Sequence, residues 1–494
     1  MLEKTLHFIE RKGNQLPNPT MLFIWLAGLV LVVSCLSAGL GVSAIHPITG
    51  EVLTAVNLLS TEGLHKILTQ TVSNFVGFAP VGTVLVAIMG IGIAEHSGLI
   101  NTLLKATVLR APKRLISFFV VICGVLSSLA ADSGYVILIP LAALIYLSLG
   151  RHPLIGIAAA FAGVSGGFSA NLIVGPFDTA LAGLTTEAAQ LVDANATVNA
   201  AGNYYFLVVS TFFIGVMGAL VTEKVVAPRL EKQPYHADKE QALTPIEPQE
   251  KKALVCTGFV FIAILVCIVA GLTPLFGFLL SDNHTIIGSP FMKGIVTVIA
   301  ITAAVCGIVF GKVSGRYQKV EACISGMEQH MATMAGYLVL MFFAAQFVSY
   351  FAWSQLGVIL AINGANFLGA LDLPLWIIML LFILLAAGIN LFIGSGAGKW
   401  ALLAPIFVPM LLLIGLPPET TQMAYRIGDS ATNIITPLMP YFGVVVAFAQ
   451  KYNKDIGLGT LISTMLPYSI VFLFGWTILL IIWVVLGLPL GPKG

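Results

Sequence analysis

Long apolar runs alternate with short polar segments along the whole chain. Nine of these runs are about 20 residues or longer, the length a helix needs to cross a hydrocarbon core of about 30 Å. They cover roughly residues 20–43, 71–95, 154–176, 203–222, 254–280, 290–311, 331–353, 420–441 and 460–488. The pattern predicts an all-α polytopic membrane protein with about nine transmembrane helices.

Two further apolar regions have a different pattern. Residues 115–131 with 134–150, and 373–393 with 399–416, are each a pair of apolar segments split by a short, polar, glycine-bearing break. In either pair the chain leaves on the side it entered, so hydropathy allows two full spans or one re-entrant hairpin. We expect re-entrant helical hairpins at about 115–150 and 373–416.

Composition supports a membrane protein and argues against most enzyme classes. The 494 residues are 58% hydrophobic and 9% charged, whereas soluble domains carry roughly 25% charge. There is no phosphate-binding lysine loop and no H-E-x-x-H. We therefore expect no enzyme, no cofactor and no nucleic-acid partner; the expected contacts are a small-molecule substrate and membrane lipid.

Positive charge collects in alternate loops. The residues involved are Lys105, Arg110, Lys113, Arg114, Lys312, Arg316, Lys319, Lys451 and Lys454. The polar stretch 223–253 adds further lysines and arginines, and the intervening loops carry few. Because such loops remain in the cytoplasm, the chain is predicted to have a cytoplasmic amino terminus.

The two split regions are related by an internal repeat. Ser133–Pro153 matches Gly398–Pro418 at a constant offset, with prolines and glycines in register, and Tyr135 falls on Trp400. Each copy comprises four spans and a split pair, and one connecting span separates the copies, so the second copy enters the membrane upside down. Inverted repeats of this kind are typical of secondary transporters, although a purely structural duplication is the alternative.

The repeat predicts three regions. Residues 1–222 form the first inverted repeat, 223–289 a cytoplasmic linker and connecting span, and 290–494 the second inverted repeat. In transporters built this way, sites lie near the membrane midplane, where broken helices meet.

Each split pair is followed by a span with an interrupted polar run. The runs are Gly163–Pro176, which contains Asn171, and Gly428–Pro440, which contains Asn433. Glycine, serine, asparagine and proline loosen a helix, and the freed carbonyls with amide and hydroxyl oxygens suit a hard cation such as Na⁺. Close packing of helices through small residues is the alternative.

Several charged residues fall within these apolar regions, where charge is costly and often functional. Asp132 lies in the first break and Lys399 in the second. Arg426 and Asp429 are three residues apart on one predicted helix, close enough to pair. They form either a structural ion pair or an anion clamp with a neighbouring carboxylate. Asp178 lies at the end of the first broken span. It either occupies a plain interfacial position or takes part in binding a proton or a cation.

At this point the chain resembles the p-aminobenzoyl-glutamate transporter (AbgT) family. The resemblance rests on GSGAGKWALLAPIFVPMLLLIGLPPE with AYRIGDSATNIITPLMPYFG, and on SSLAADSGYVILIPL with GGFSANLIVGPFDTALAGLT. It implies an inner-membrane secondary transporter similar in architecture to the divalent-anion/sodium symporters, with nine spans, two re-entrant hairpins and a homodimeric assembly. It also implies transport of p-aminobenzoyl-glutamate, a folate breakdown product, or export of sulfonamide antimetabolites.

The resemblance also indicates functional residues. The family positions fall here on Asp178, Trp400, Pro418, Arg426, Asp429 and Pro437. One departure is Ala397, where the family pattern has a serine, and Ser395 is the nearby hydroxyl that could replace it.

Chemistry and resemblance together give two candidate sets. The substrate set suits an aromatic dicarboxylate, with cations for the carboxylates and a ring-stacking side chain: Ser395, Lys399, Trp400, Pro418, Arg426, Asp429 and Pro437. The ion-binding or coupling set is Ser128, Asp132, Asn171, Asp178, Asn390 and Asn433, with Asn171 and Asn433 as Na⁺ ligands.

The coupling ion is Na⁺ or H⁺, because carrying a dianion against the membrane potential costs about 2.3 kcal/mol per charge per 100 mV. A sodium-coupled symporter of another dicarboxylate, or a channel, is the alternative.

Overall fold

The computed structural model of the protein describes residues 19–45, 51–109, 111–128, 134–236, 246–274, 276–281, 289–319, 321–437, 439 and 441–492. Asp132 and Arg110 lie outside the described residues. Within the described ranges the chain is almost entirely helical, apart from one two-stranded antiparallel sheet.

The first half begins with a helix and a small β-hairpin and continues as helices. Its elements are α1 (Pro19–Gly39), β1 (Ser43–Ile45), β2 (Val52–Thr54), α2 (Thr61–Val76), α3 (Ala79–His96), α4 (Leu99–Leu109), α5 (Ile116–Ser127), α6 (Ile139–Ser148), α7 (Pro153–Phe161), α8 (Pro176–Ala189), α9 (Tyr204–Val221) and α10 (Ala227–Leu230). Single π-helical turns precede α6 (Gly134–Leu138) and follow α7 (Ala162–Gly166) and α9 (Thr222–Val226).

The remainder of the described chain is helical. Its elements are α11 (Pro248–Gly271), α12 (Pro290–Lys293), α13 (Ile295–Val313), α14 (Glu321–Thr333), α15 (Ala335–Trp353), α16 (Leu356–Ala370), α17 (Leu375–Asn390), α18 (Gly396–Leu413), α19 (Pro418–Asn433), α20 (Phe442–Gln450) and α21 (Leu458–Val485).

Eight helices of the described chain are long and apolar enough to cross a membrane. The fold is therefore the predicted all-helical, multi-pass type. The sequence pattern missed α4, α8, α14 and α16, because they have 15 residues or fewer or carry polar and charged side chains. In particular, the interval between the predicted spans 154–176 and 203–222 contains the helix α8.

The two split regions form helical hairpins. Hairpin one comprises α5 and the segment 134–148, and hairpin two comprises α17 and α18. α5 has 12 residues, which span about 18 Å; the 16 residues of α17 span about 24 Å. Both first limbs are shorter than a hydrocarbon core of about 30 Å, which favours re-entrant hairpins. By contrast α18, the second limb of hairpin two, is one of the eight helices long enough to cross.

The loops that carry most of the positive charge lie together on one face of the molecule. Arg316 Nη2 donates to Glu250 Oε1 at 3.0 Å, and the His236 N–H donates to the Tyr452 carbonyl at 2.8 Å. Arg151, at the base of hairpin one, pairs with Glu223 at 2.8 Å. The loops after α6, α9, α13 and α20 therefore lie near the linker on this face.

The base of hairpin two lies at the other face. The chain after it, at Glu419, approaches Gly202 in the loop before α9. The Phe206 N–H in turn donates to the Leu490 carbonyl near the end of the chain, at 3.0 Å. The hairpins thus open toward opposite faces, as an inverted repeat requires, while the boundaries predicted for the two halves remain a prediction.

Each hairpin packs against the broken helix that follows it. Broken helix one is α7, its π-helical turn, the irregular residues 167–175 and α8; broken helix two is α19, the segment 434–441 and α20. A Cβ at Gly163 would lie 2.2 Å from the Val121 carbonyl oxygen, and one at Gly428 would lie 2.5 Å from that of Ile383. These matched glycines therefore allow close backbone contact with the first limb of the hairpin.

Candidate substrate and ion site

The two broken helices and the two hairpins meet in the core. Their polar side chains are almost fully shielded: Lys399 is 0%, Asp429 1%, Arg426 2% and Asp178 3% exposed. Buried charges of this kind need partners, and the structure supplies two separate ion pairs.

The first ion pair joins the two halves of the chain. Arg426 Nη2, on α19, donates to Asp178 Oδ1 on α8 at 2.6 Å and to the Ser169 carbonyl at 2.8 Å. The Phe177 ring lies 5.7 Å from the guanidinium carbon. One guanidinium edge therefore bridges both sides of the break in broken helix one.

Local structure holds Asp178 in place for this contact. α8 begins with Gly175 as its N-cap and Pro176 at its first position, and Asp178 lies in the first turn. Asp178 Oδ2 accepts the Gly175 N–H at 2.7 Å. An aspartate here also interacts favourably with the positive end of the helix dipole. One carboxylate oxygen is therefore fixed by its own helix, and the other faces Arg426.

The second ion pair lies at the tip of hairpin two. Lys399 Nζ is 2.5 Å from Asp429 Oδ1 and also donates to Asn390 Oδ1. Lys399 is in the first turn of α18, Asn390 ends α17 and Asp429 lies on α19. The ammonium group therefore joins both limbs of the hairpin to broken helix two.

Asn390 extends this contact into a network. Its amide nitrogen donates to the Asp429 carbonyl at 2.6 Å, to Thr432 Oγ1 at 2.8 Å and to Asn433 Oδ1 at 2.9 Å. The predicted partnership of Arg426 with Asp429 is therefore wrong. Although three residues apart, the two side chains reach different elements, α8 and hairpin two, where each meets a closer group of opposite charge.

Trp400 is held by contacts across the halves. Its ring stacks on Tyr425 with centroids 4.6 Å apart, and its Nε1–H donates to Thr185 Oγ1 on α8 at 2.9 Å. Gln422 Nε2 donates to the same hydroxyl at 2.9 Å. In this closed arrangement, Tyr425 covers one face of the indole.

The repeat counterpart of Trp400 makes a similar contact. Tyr135 stacks on Tyr441, in broken helix two, with centroids 4.5 Å apart and rings 15° from parallel. Each hairpin thus presents an aromatic ring, just after its tip, to a tyrosine of the second half.

The two asparagines proposed for Na⁺ have unlike surroundings. Asn171 Nδ2 donates to Ser128 Oγ at 3.2 Å, and its amide oxygen accepts the Leu172 N–H at 2.9 Å. Asn433 Oδ1 instead accepts from Asn390. Both are buried, at 6% and 4% exposure; Asn433 is the last residue of α19, whereas Asn171 lies in the irregular segment 167–175.

The other residues predicted for the substrate site lie at helix starts or in irregular backbone. Ser395 is the N-cap of α18, where its hydroxyl accepts the Gly398 N–H at 3.2 Å. Pro418 starts α19, a position that needs no donor. Pro437 lies in the irregular segment after α19, and Asp132 falls outside the described residues.

Some buried polar atoms of the site have no hydrogen-bond partner among the described residues. They are Arg426 Nε, Asp429 Oδ2 and Ser169 Oγ. Sequence reasoning missed Ser169, although it lies within the polar run of broken helix one. It also missed Gln422 and Tyr425, which share a helical face with Arg426 and Asp429 at three- and four-residue spacing.

Comparison with known proteins agrees with this architecture. Residues 4–494 match the model of the AbgT putative transporter family. The p-aminobenzoyl-glutamate transport protein of Escherichia coli (strain K12) is 35% identical over 493 residues, covering 99% of this chain and 96% of that protein.

Two solved structures are also similar. The YdaH transporter of Alcanivorax borkumensis is 49% identical, with a TM-score of 0.93 over 96% of this chain and 100% of that one. MtrF of Neisseria gonorrhoeae, described as illuminating a class of antimetabolite efflux pumps, is 46% identical, with a TM-score of 0.94 over 99% of this chain and 100% of that one. The family match spans nearly the whole sequence, and the chain is a multi-pass membrane transporter of the AbgT family.

Proposed function

We propose that this chain is an ion-coupled secondary transporter of p-aminobenzoyl-glutamate, of sulfonamide antimetabolites, or of both. The observation that carries the proposal is Arg426, a buried guanidinium between the two halves whose Nε–H has no hydrogen-bond partner among the described residues. The names of the E. coli and N. gonorrhoeae relatives support these substrate classes.

The chemistry around Arg426 suits such ligands. A guanidinium has five N–H donors in a planar fork that matches carboxylate and sulfonyl oxygens. The Ser169 hydroxyl, also unpartnered, lies on the residue whose carbonyl Arg426 contacts. Phe177 provides aromatic surface beside the guanidinium, and Trp400 stacks on Tyr425, the residue before Arg426. We assign Arg426, Ser169 and Trp400 to the substrate.

Access to this site requires movement. Arg426 and Trp400 are at most 2% exposed, so a ligand reaches them only when a hairpin tip separates from the facing broken helix. Motion of hairpin two would break the Trp400–Thr185 hydrogen bond. This arrangement favours alternating access over a continuous pore.

The coupling ion is Na⁺ or H⁺, with Asn171, Asn433, Asn390, Ser128, Asp132 and Asp178 as candidate coupling residues. We place the chain in the inner membrane as a homodimer. The face bearing Arg151 and Arg316 would be cytoplasmic, because it collects the positively charged loops.

Counterflow in proteoliposomes tests the proposal. Liposomes preloaded with unlabelled p-aminobenzoyl-glutamate should accumulate the labelled compound transiently, and a sulfonamide should compete. Replacing Na⁺ by choline at fixed pH, and then imposing a pH gradient at fixed Na⁺, identifies the coupling ion. Non-saturating conductance without counterflow would indicate a channel, and counterflow only with other dicarboxylates would indicate a different symporter.

A further inference from the structure

The ammonium group of Lys399 occupies the position in which an oxygen-lined site would hold a cation. Its nitrogen contacts Asp429 Oδ1 at 2.5 Å and Asn390 Oδ1. Carboxylate and amide oxygens are also the ligands that Na⁺ accepts. With Lys399 fully buried and Asp429 1% exposed, water does not screen this pair.

The surrounding groups leave little unmatched charge for a second cation. Within the described part of the chain, Asp429 carries the negative charge that pairs with Lys399, and its other oxygen has no hydrogen-bond partner there. Tyr425 OH lies 3.4 Å from Asp429 Oδ1 and also donates to the Gly396 carbonyl. The other nearby ions, Arg426 and Asp178, neutralise each other. Among the described residues of the site, the one positive charge of Lys399 therefore balances Asp429.

The first half lacks this built-in cation. In the repeat alignment Lys399 falls on Gly134, which has no side chain. At the matching place, broken helix one presents Asn171 and hairpin one presents Ser128, and both are neutral. The two halves share a backbone plan, but only the second has a lysine at the hairpin tip.

From this geometry we propose that Lys399 is a tethered resident cation that fills the second-half ion site, so that Asn390, Asp429 and Asn433 bind no Na⁺ while the lysine is present. Any Na⁺ that drives transport then binds in the first half, around Asn171. This inference rests on the proposed ion-coupled function and specifies which half takes the metal ion.

Na⁺ binding to purified full-length protein tests the inference without measuring transport. The readout is the difference in Tm between about 100 mM NaCl and the same concentration of choline chloride. Lys399→Ala removes the ammonium and leaves space beside Asp429, so Na⁺ should raise the Tm of this variant by about 2 °C or more beyond its effect on the wild type.

Matched variants identify the cause of that shift. Lys399→Met removes the charge but keeps the volume, and should gain no Na⁺ response. Adding Asp429→Asn to Lys399→Ala removes the anionic ligand and should abolish the gained response. A folded Lys399→Ala variant that gains no Na⁺-specific shift, or an equal gain in Lys399→Met, overturns the proposal.

A second measurement covers the case in which Lys399→Ala does not fold. In the protein with Lys399 intact, Asn433→Ala should leave the Na⁺ response unchanged, whereas Asn171→Ala should reduce it. Loss of the response in Asn433→Ala overturns the inference. Because these are binding measurements, failure of p-aminobenzoyl-glutamate counterflow would overturn the proposed function and leave this result standing.

Discussion

The two halves use one backbone plan but distribute charge differently. Within the second half, Lys399 at the hairpin tip pairs with Asp429 on the broken helix. The other buried second-half charge of the site, Arg426, instead pairs across the halves with Asp178 on broken helix one. The duplicated feature is the pair of glycines that press each broken helix onto its hairpin. The two copies therefore differ in the placement of their charged residues. One ion pair of the site forms within the second half, and the other forms between the halves.

The largest expected effect comes from breaking the pair between halves. Arg426→Ala should reduce p-aminobenzoyl-glutamate counterflow at least ~100-fold, because it removes the anion-binding group. It should also destabilise the protein by about 3–5 kcal/mol, because Asp178 remains buried without a partner. Counterflow and thermal unfolding measure the two losses.

A double variant separates the two roles of Arg426. Arg426→Met with Asp178→Asn removes both charges, so stability should recover relative to Arg426→Ala while transport stays absent. If transport returned with stability, Arg426 would be a structural residue only.

Breaking the pair within the second half should have the next largest effect. Asp429→Asn leaves the Lys399 ammonium buried with only neutral partners, and we expect a loss of about 3 kcal/mol in unfolding free energy. Adding Lys399→Met should return most of that loss, and a double-mutant cycle measured by thermal unfolding gives the coupling between the two residues. Strictly additive losses would contradict the pairing.

A smaller effect is expected at the aromatic contact between halves. Trp400→Phe keeps a ring against Tyr425 but loses the hydrogen bond to Thr185, which is worth about 1 kcal/mol. Since 1.4 kcal/mol corresponds to a tenfold change, we expect a several-fold rise in KM for counterflow. Thr185→Val should match it if the hydrogen bond is the cause, and an unchanged KM in both variants would exclude that contact.

The smallest effect should come from an ion pair far from the central site. His330, on α14, donates to Glu95 Oε2 at 2.9 Å, and this hydrogen bond raises the pKa of His330 above its usual value of 6.5. A raised pKa means that the stabilisation is complete below pH 6.5 and declines as the pH rises through the folded-state pKa.

Because both side chains are partly exposed, the contribution should be below about 1 kcal/mol. Thermal unfolding between pH 6 and pH 8 checks it: His330→Gln should flatten the decline, whereas His65→Gln, at an exposed position on α2, should not. A decline that persists in His330→Gln would assign the pH dependence to other groups.

Sequence reasoning anticipated the scaffold because hydrophobic length and the repeat determine it. The apolar runs predicted the long helices, and the repeat located both hairpins and the run containing Asn433. Sequence reasoning also assigned Lys399 and Arg426 to the site, because charged residues within apolar segments are rare and often functional.

The contacts within the site could not be read in the same way. Asp178 and Arg426 are 248 residues apart, and local spacing suggested Asp429 as the partner instead. α8 was missed because its polar first turn resembles a loop. Ser169, Thr185 and Gln422 are neutral residues whose importance depends on neighbours from distant parts of the chain.

The separation between Asp178 and Arg426 has a consequence for biosynthesis. At about 5–20 residues per second, the ribosome needs roughly 10–50 s after making Asp178 to reach Arg426. During that interval the nascent first half holds a carboxylate whose insertion into the bilayer centre costs about 3 kcal/mol. We therefore expect broken helix one to reach its final position only after the chain has been synthesised and inserted as far as α19.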